Sequence, residues 1–237
     1  MNRVIIFVAV AVIAGCVSCT KWCMFPIRGN GDLVTSDWTV GAFDGVSAAG
    51  SVEVRFFECD VHRVVVTVDD NLYGFVKIDV KNDVLRIGTK SGNFSFTKYR
   101  VDVYAPTLSS VTISGSGSFK TDDVISASSF STVISGSGRI EAAVECNSFS
   151  ATISGSGRTT ISGASNSAKI NISGSGRFDG SDFSIKDADV RISGSGNANV
   201  WVTDNLSATI SGSGDVRYKG DPKVTSNVSG SGRIRKM

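Results

Sequence analysis

Three arginines, Arg139, Arg158 and Arg177, follow one another at intervals of 19 residues. A guanidinium is always charged and presents a planar fork of donors, so such a row is a candidate site for the carboxylates or phosphates of a surface polysaccharide. The competing reading is a solvated basic stripe, with Glu141 and Asp179, each two residues further on, as partners. Those two acids also raise a second chemistry, because glycoside hydrolysis works with paired carboxylates. Cysteine catalysis has less to recommend it. Cys59 and Cys146 would need a base, and His62 is the only histidine, placed in the turn-like run Glu58-Cys59-Asp60-Val61-His62, where it reads as surface or structural. Asp does not recur in the register that a calcium-binding β-roll requires. No catalytic residue, metal site or cofactor is therefore expected.

What must position the arginines is the pentapeptide in front of them. ISGSG starts at Ile113, Ile134, Ile153, Ile172, Ile192 and Ile210, and VSGSG at Val228, at intervals of 21, 19, 19, 20, 18 and 18 residues. Such a period suits one coil of a solenoid. Four residues before the motif stand Phe130, Phe149, Ala168, Ala188, Leu206 and Val224, and six residues after its start stand Phe119, Ile140, Thr159, Phe178, Ala198, Val216 and Ile234. Apolar residues thus keep even positions, the period of a strand, while odd positions collect Ser, Thr, Asn, Asp, Glu and Arg. The motif glycines allow a tight corner. The expected fold is all-β: a right-handed parallel β-helix with coils of about 18–21 residues, regular over 111–234. Stacking then makes an outward ladder of Ser114, Ser135, Ser154, Ser173, Ser193, Ser211 and Ser229, either structural through hydroxyl hydrogen bonds or a hydroxyl-lined binding strip. The residue after each motif is Ser118, Arg139, Arg158, Arg177, Asn197, Asp215 or Arg233, so three adjacent coils stack arginines about 5 Å apart.

The chain begins with Met1-Asn2-Arg3 and an apolar run from Val4 to Ala14, too short to span a membrane and read as a secretory signal over 1–15. Ile13-Ala14-Gly15-Cys16 resembles a bacterial lipobox, which makes Cys16 the expected lipid anchor, with 16–37 as anchor and tether. Cys19, Cys23, Cys59 and Cys146 would permit two disulfides but set no pattern. From Trp38 to Ala105 the alternation is less regular: Val52, Val54, Phe56; Val64, Val66, Val68; Val76, Ile78, Val80; Val84, Leu85, Ile87; Val101, Val103, Ala105. This stretch is expected as wider coils or a small sheet continuous with the solenoid, giving one domain over 38–237. Arg233, Arg235 and Lys236 close the array and are expected to discourage end-to-end stacking.

Phe43-Asp44-Gly45-Val46, Gly50-Ser51-Val52-Glu53-Val54, Leu85-Arg86-Ile87, Val101-Asp102-Val103 and the repeated ISGSG resemble the auto-transporter adhesin head GIN domain family, common in lipoproteins of Bacteroidota and also filed as a domain of unknown function. The resemblance runs from Trp38 to the C-terminus. It implies a β-helix in an extracytoplasmic setting and transfers no functional residues. A net charge of +2 argues against nucleic acid as partner. The function expected is that of a non-catalytic cell-envelope protein, lipid-anchored to the periplasmic or surface face of the outer membrane. It would bind a glycan or protein partner along the solenoid face. The alternatives are a polysaccharide-degrading β-helix enzyme and a purely structural envelope protein.

Overall fold

A computed structural model describes residues 25–237. The expected signal segment 1–15, the lipidation residue Cys16, and Cys19 and Cys23 lie outside the described residues. In chain order the first strands are β1 (Ile27–Arg28), β2 (Leu33–Thr39), β3 (Gly45–Gly50), β4 (Glu53–Glu58) and β5 (Arg63–Asp69). A helical turn, α1 (Asp70–Tyr73), leads to β6 (Val76–Lys81), β7 (Val84–Thr89), β8 (Phe94–Ser95) and β9 (Tyr99–Ala105). The repeats supply β10 (Ser110–Gly115), β11 (Ser118–Gly136), β12 (Arg139–Gly155), β13 (Arg158–Gly174), β14 (Arg177–Gly194), β15 (Asn197–Gly212), β16 (Asp215–Lys219), β17 (Lys223–Gly230) and β18 (Arg233–Lys236). Stacked parallel coils form a β-solenoid of about seven turns.

Each long strand from β11 to β15 runs from one Ser-Gly corner to the next and pairs in parallel with the coil on either side. Ile113, Ile134, Ile153 and Ile172 lie in register, as do the serines and glycines that follow them. The alternation read from the sequence is the alternation of burial: Phe130, Thr132 and Ile134 are inside, and so are Phe149, Ala151 and Ile153. Inside the coils Phe130 stacks on Phe149 at 6.4 Å, and Phe149 meets Phe178 at 6.0 Å and Phe183 at 5.0 Å. These apolar columns are the core that holds coil to coil.

The corner explains both glycines. The first glycine of each ISGSG or VSGSG has φ between 110° and 128°, a region that a Cβ resists. The second has ordinary φ but no room: a Cβ on Gly157 would lie 2.5 Å from Ile134 Cγ2 and 2.9 Å from the Gly138 carbonyl.

The N-terminal region is both of the things expected of it. β3 and β4 form a coil, and Ala48-Ala49-Gly50-Ser51-Val52 occupies its corner. Ala48 faces Ile113, Gly50 faces Gly115, and Glu53 faces Ser118. β7 and β9 form a further coil outside it, turning through the long 90–98 segment. This coil comes later in the chain yet stacks further from the repeats. β9 lies between β4 and β5, and the chain then passes through buried Leu108 to start β10 on the far side of β3. Antiparallel strands β2, β5 and β6 cap this end. Residues 27–37, expected as tether, enter the fold: β1 pairs with β8, and β2 pairs with β5 from Leu33 onward. At the other end β17 is exposed along its whole length, with Val224 and Val228 in solvent.

Candidate functional site

The corners set the outward column that carries the arginines. The amide of each arginine donates to the second motif glycine of the coil before it: Arg139 to Gly117 at 3.0 Å, Arg158 to Gly138 at 3.0 Å, and Arg177 to Gly157 at 2.9 Å. With that backbone fixed and Ile140, Thr159 and Phe178 turned into the core, the preceding side chains must point outward. Arg139 faces Arg158 and Arg158 faces Arg177 on consecutive rungs, all three exposed.

The complete column reads, from the cap, Arg100, Glu53, Ser118, Arg139, Arg158, Arg177, Asn197, Asp215, Arg233. Its acidic members and its cap-side arginine are paired. Arg100 lies 3.3 Å from Asp102, and Glu53 takes Lys98 at 2.9 Å and Arg55 at 2.8 Å; Lys98 first, then Arg55, hold its carboxyl below the usual range against the opposing effect of burial. Asp215 faces Arg233 and pairs with Arg235 at 2.9 Å. The middle is not compensated: none of Arg139, Arg158 and Arg177 makes an ion pair among the described residues. Glu141 faces Lys120 across the rung, but Lys120 pairs with Asp122 at 3.1 Å. The Asp179 carboxylate instead accepts from the Ser181 hydroxyl at 2.8 Å and the Ser181 amide at 3.3 Å, closing a local turn.

The first-serine ladder stands in register from Ser114 through Ser135, Ser154, Ser173, Ser193 and Ser211 to Ser229, exposed at every rung. Its hydroxyls make no hydrogen bond to protein among the described residues. The bonding between coils that the structural reading assigned to them is done by backbone, as where the amides of the second serines Ser137 and Ser156 reach Gly115 and Gly136 at 2.9 Å. On odd positions on the two sides of one corner, serines and arginines make a single strip of free hydroxyls and guanidinium groups.

The other sequence candidates are structural. Glu141 and Asp179 stand two coils apart with Thr160 on the rung between. His62 Nε2 is 3.0 Å from the Phe43 carbonyl, and its ring meets Phe43 edge-on at 5.0 Å. Cys59 and Cys146 are free thiols, and burial pushes the Cys146 thiol up, away from thiolate chemistry. Sequence reasoning did not find an open polar groove of about 680 Å³ at a second corner, lined by Ser126, Glu145, Asn147, Asn166 and Lys186 among others. There the Asn166 side chain donates to Asn147 at 3.1 Å. The turn residues Glu145-Cys146-Asn147 marked the corner, but its concavity depends on how neighbouring coils differ in length.

Fold and surface define a β-solenoid protein whose distinguishing chemistry lies on outward columns. The chain belongs to the family described as "Putative auto-transporter adhesin, head GIN domain", which it matches over residues 42–222. Among solved structures it resembles a "putative adhesin" from Bacteroides fragilis NCTC 9343, at 19% identity and TM-score 0.83, over 89% of this chain and 100% of that one. A "putative lipid binding protein" from Parabacteroides distasonis ATCC 8503 is similar at 25% identity and TM-score 0.75, over 90% and 100%. A "putative adhesin" from Parabacteroides merdae ATCC 43184 is similar at 26% identity and TM-score 0.66, over 89% and 98%. Comparison with curated proteins gives no match. The adhesin-like family points to the cell envelope or cell surface, and its description is not that of an enzyme.

Proposed function

We propose that this is a non-catalytic protein, lipid-anchored through Cys16 to the outer membrane, that binds an anionic glycan along the serine and arginine strip. The observation that carries the reading is the run of three arginines on consecutive rungs that make no ion pair among the described residues, in a column whose cap-side arginine and whose acids are paired. Like charges stacked in register repel. An anionic polymer lying along the solenoid axis turns that repulsion into attraction at each rung, while the free serine hydroxyls supply neutral partners for sugar hydroxyls. The adhesin description of the family and of two solved relatives agrees with it.

The test is retention of the domain on immobilised polygalacturonate, with neutral dextran as control. Retention should weaken with rising salt, because the charges are exposed and screened. The triple change Arg139→Ser, Arg158→Ser, Arg177→Ser should lower affinity at least tenfold and leave the unfolding midpoint unchanged. Equal retention of the triple variant would remove the reading in favour of a protein partner or a structural role.

A further inference from the structure

The capped end of the solenoid carries an aromatic cleft of about 600 Å³ that the glycan strip does not use. Its walls are Phe25, Ile27, Phe75 and Phe94, joined by the 91–93 turn. The wall is built into the cap. β1 holds Ile27 opposite Phe94, the Ile27 amide donates to the Asn93 carbonyl at 2.9 Å, and the Asn71 side chain donates to the Arg28 carbonyl at 2.8 Å. Phe94 continues an aromatic row from Phe75 at 4.7 Å through Phe96 at 6.1 Å to Tyr99, whose ring lies 4.8 Å from Phe96 and whose hydroxyl donates to the Gly88 carbonyl at 2.9 Å. Yet the mouth is wet: Phe25 is 94% exposed and Ile27 46%. The phenylalanines of the coils, from Phe119 to Phe183, are buried.

Two observations identify what covers this mouth. Arg28 and Lys90 adjoin Ile27 and Ser91, are exposed, and make no ion pair among the described residues. Arg28 faces the side of β1 opposite Ile27, so the apolar mouth is flanked, not lined, by free cations, an arrangement that matches the boundary of a bilayer, where apolar groups enter the acyl region and cations meet phosphates. The length of chain between Cys16 and Phe25 gives the second: nine residues reach at most roughly 30 Å. An acylated Cys16 therefore keeps this end, and not the open end at β17, against the membrane, and makes docking an intramolecular step.

We propose that the cleft is a membrane-docking foot for an anionic bilayer, in which Phe25 and Ile27 enter the lipid and Arg28 and Lys90 meet headgroup phosphates. The proposal rests on the anchor reading only for the direction of approach. With the foot down, the coils rise from the membrane and carry the arginine strip outward, its first arginine three rungs, or roughly 14 Å, beyond Arg100.

The protein to test is residues 25–237, which lacks Cys16. It is matched by solved relatives over 98–100% of their own chains, so the fold needs nothing outside it. Flotation with vesicles of phosphatidylethanolamine and phosphatidylglycerol should carry the protein with it. Phe25→Ser together with Ile27→Ser should lower the bound fraction at least tenfold, and Arg28→Ser with Lys90→Ser should lower it only on anionic vesicles. All four side chains are exposed, so an unchanged unfolding midpoint separates lost docking from lost fold. No flotation at millimolar lipid, or flotation indifferent to the Phe25 and Ile27 changes, overturns the foot. Equal binding to phosphatidylcholine vesicles does the same. The anchor reading fails separately, if the full chain with Cys16→Ala takes up as much labelled palmitate in cells as the unaltered chain.

Discussion

The two glycines of one corner are needed for different reasons, and the serine before them for neither. Gly155 has φ 117°, and a Cβ there would lie 2.5 Å from the Gly136 carbonyl, a backbone atom that cannot swing away. Ser154, one residue earlier, points to solvent. Gly155→Ala should therefore destabilise the domain by about 2–4 kcal/mol, while Ser154→Ala should stay within about 0.5 kcal/mol, both read from urea unfolding midpoints. Facing was legible in the sequence because a strand admits only two directions for a side chain, so parity placed Arg139 and Ser154 outside and Ile153 inside. Ion pairing was not legible. Glu141 and Asp179 stand at the right offset to neutralise the arginines, yet Asp179 turns to Ser181 two residues away, a choice made by local geometry and not by spacing.

At the scale of elements, the N-terminal strap, residues 27–37, is held by strand pairing at both ends and by one buried carboxylate between them. Asp69 is fully buried at the end of β5 and accepts the Gly31 amide at 3.0 Å and the Thr97 amide at 2.9 Å, with a further bond from the Thr97 hydroxyl. Burial alone would raise its pKa, but these donors and the Lys98 amide outweigh it and hold the carboxyl below its ordinary range. A depressed folded value means that the stabilisation is present above the unfolded pKa, about 3.9, and is lost as pH falls through the folded value. Asp69→Asn should thus flatten the acid limb of the stability curve. It should also speed amide exchange at Gly31 and Thr97 at least tenfold at neutral pH, read by hydrogen exchange. Strand existence here was plain from alternation; strand partners were not. Val64, Val66 and Val68 reveal a buried face, but nothing in that pattern says that β9 will lie between β4 and β5. The strap itself, with Pro26, Gly29 and Gly31, has too few apolar residues in period to announce a strand, and is ordered by Asp69 and by β8.

The whole molecule is a cap with an array attached, and the array is the part that the sequence spelled out. ISGSG fixed the coil, its period and its core columns, while the degenerate corner at Ala48-Ala49-Gly50-Ser51-Val52 is masked because the Ile, the first Ser and the second Gly are replaced. Gly50-Ser51 before an alternating run was the trace it left. Since each repeat contacts only its neighbours, removing 139–157 joins Gly138 to Arg158 with every column still aligned. That chain should fold cooperatively with an unchanged strand spectrum by circular dichroism, and bind polygalacturonate more weakly for want of one arginine. Removing 139–146 instead shifts parity by one, puts exposed Ser148 in the inward place of Ile140 and turns Phe149 outward, and should give no cooperative unfolding transition. The coil formed by β3 and β4 has a further consequence, in the order of synthesis. It is made first, but its outer edge is filled only by β7 and then β9, and its inner edge stays vacant until β10 and β11 emerge, so the cap is sealed by residues 99–105, just before the first ISGSG arrives. Every later coil meets a finished template and leaves a new one behind. Growth then runs in one direction, and the number of coils is free to change from gene to gene, one repeat at a time, with no change at the seed.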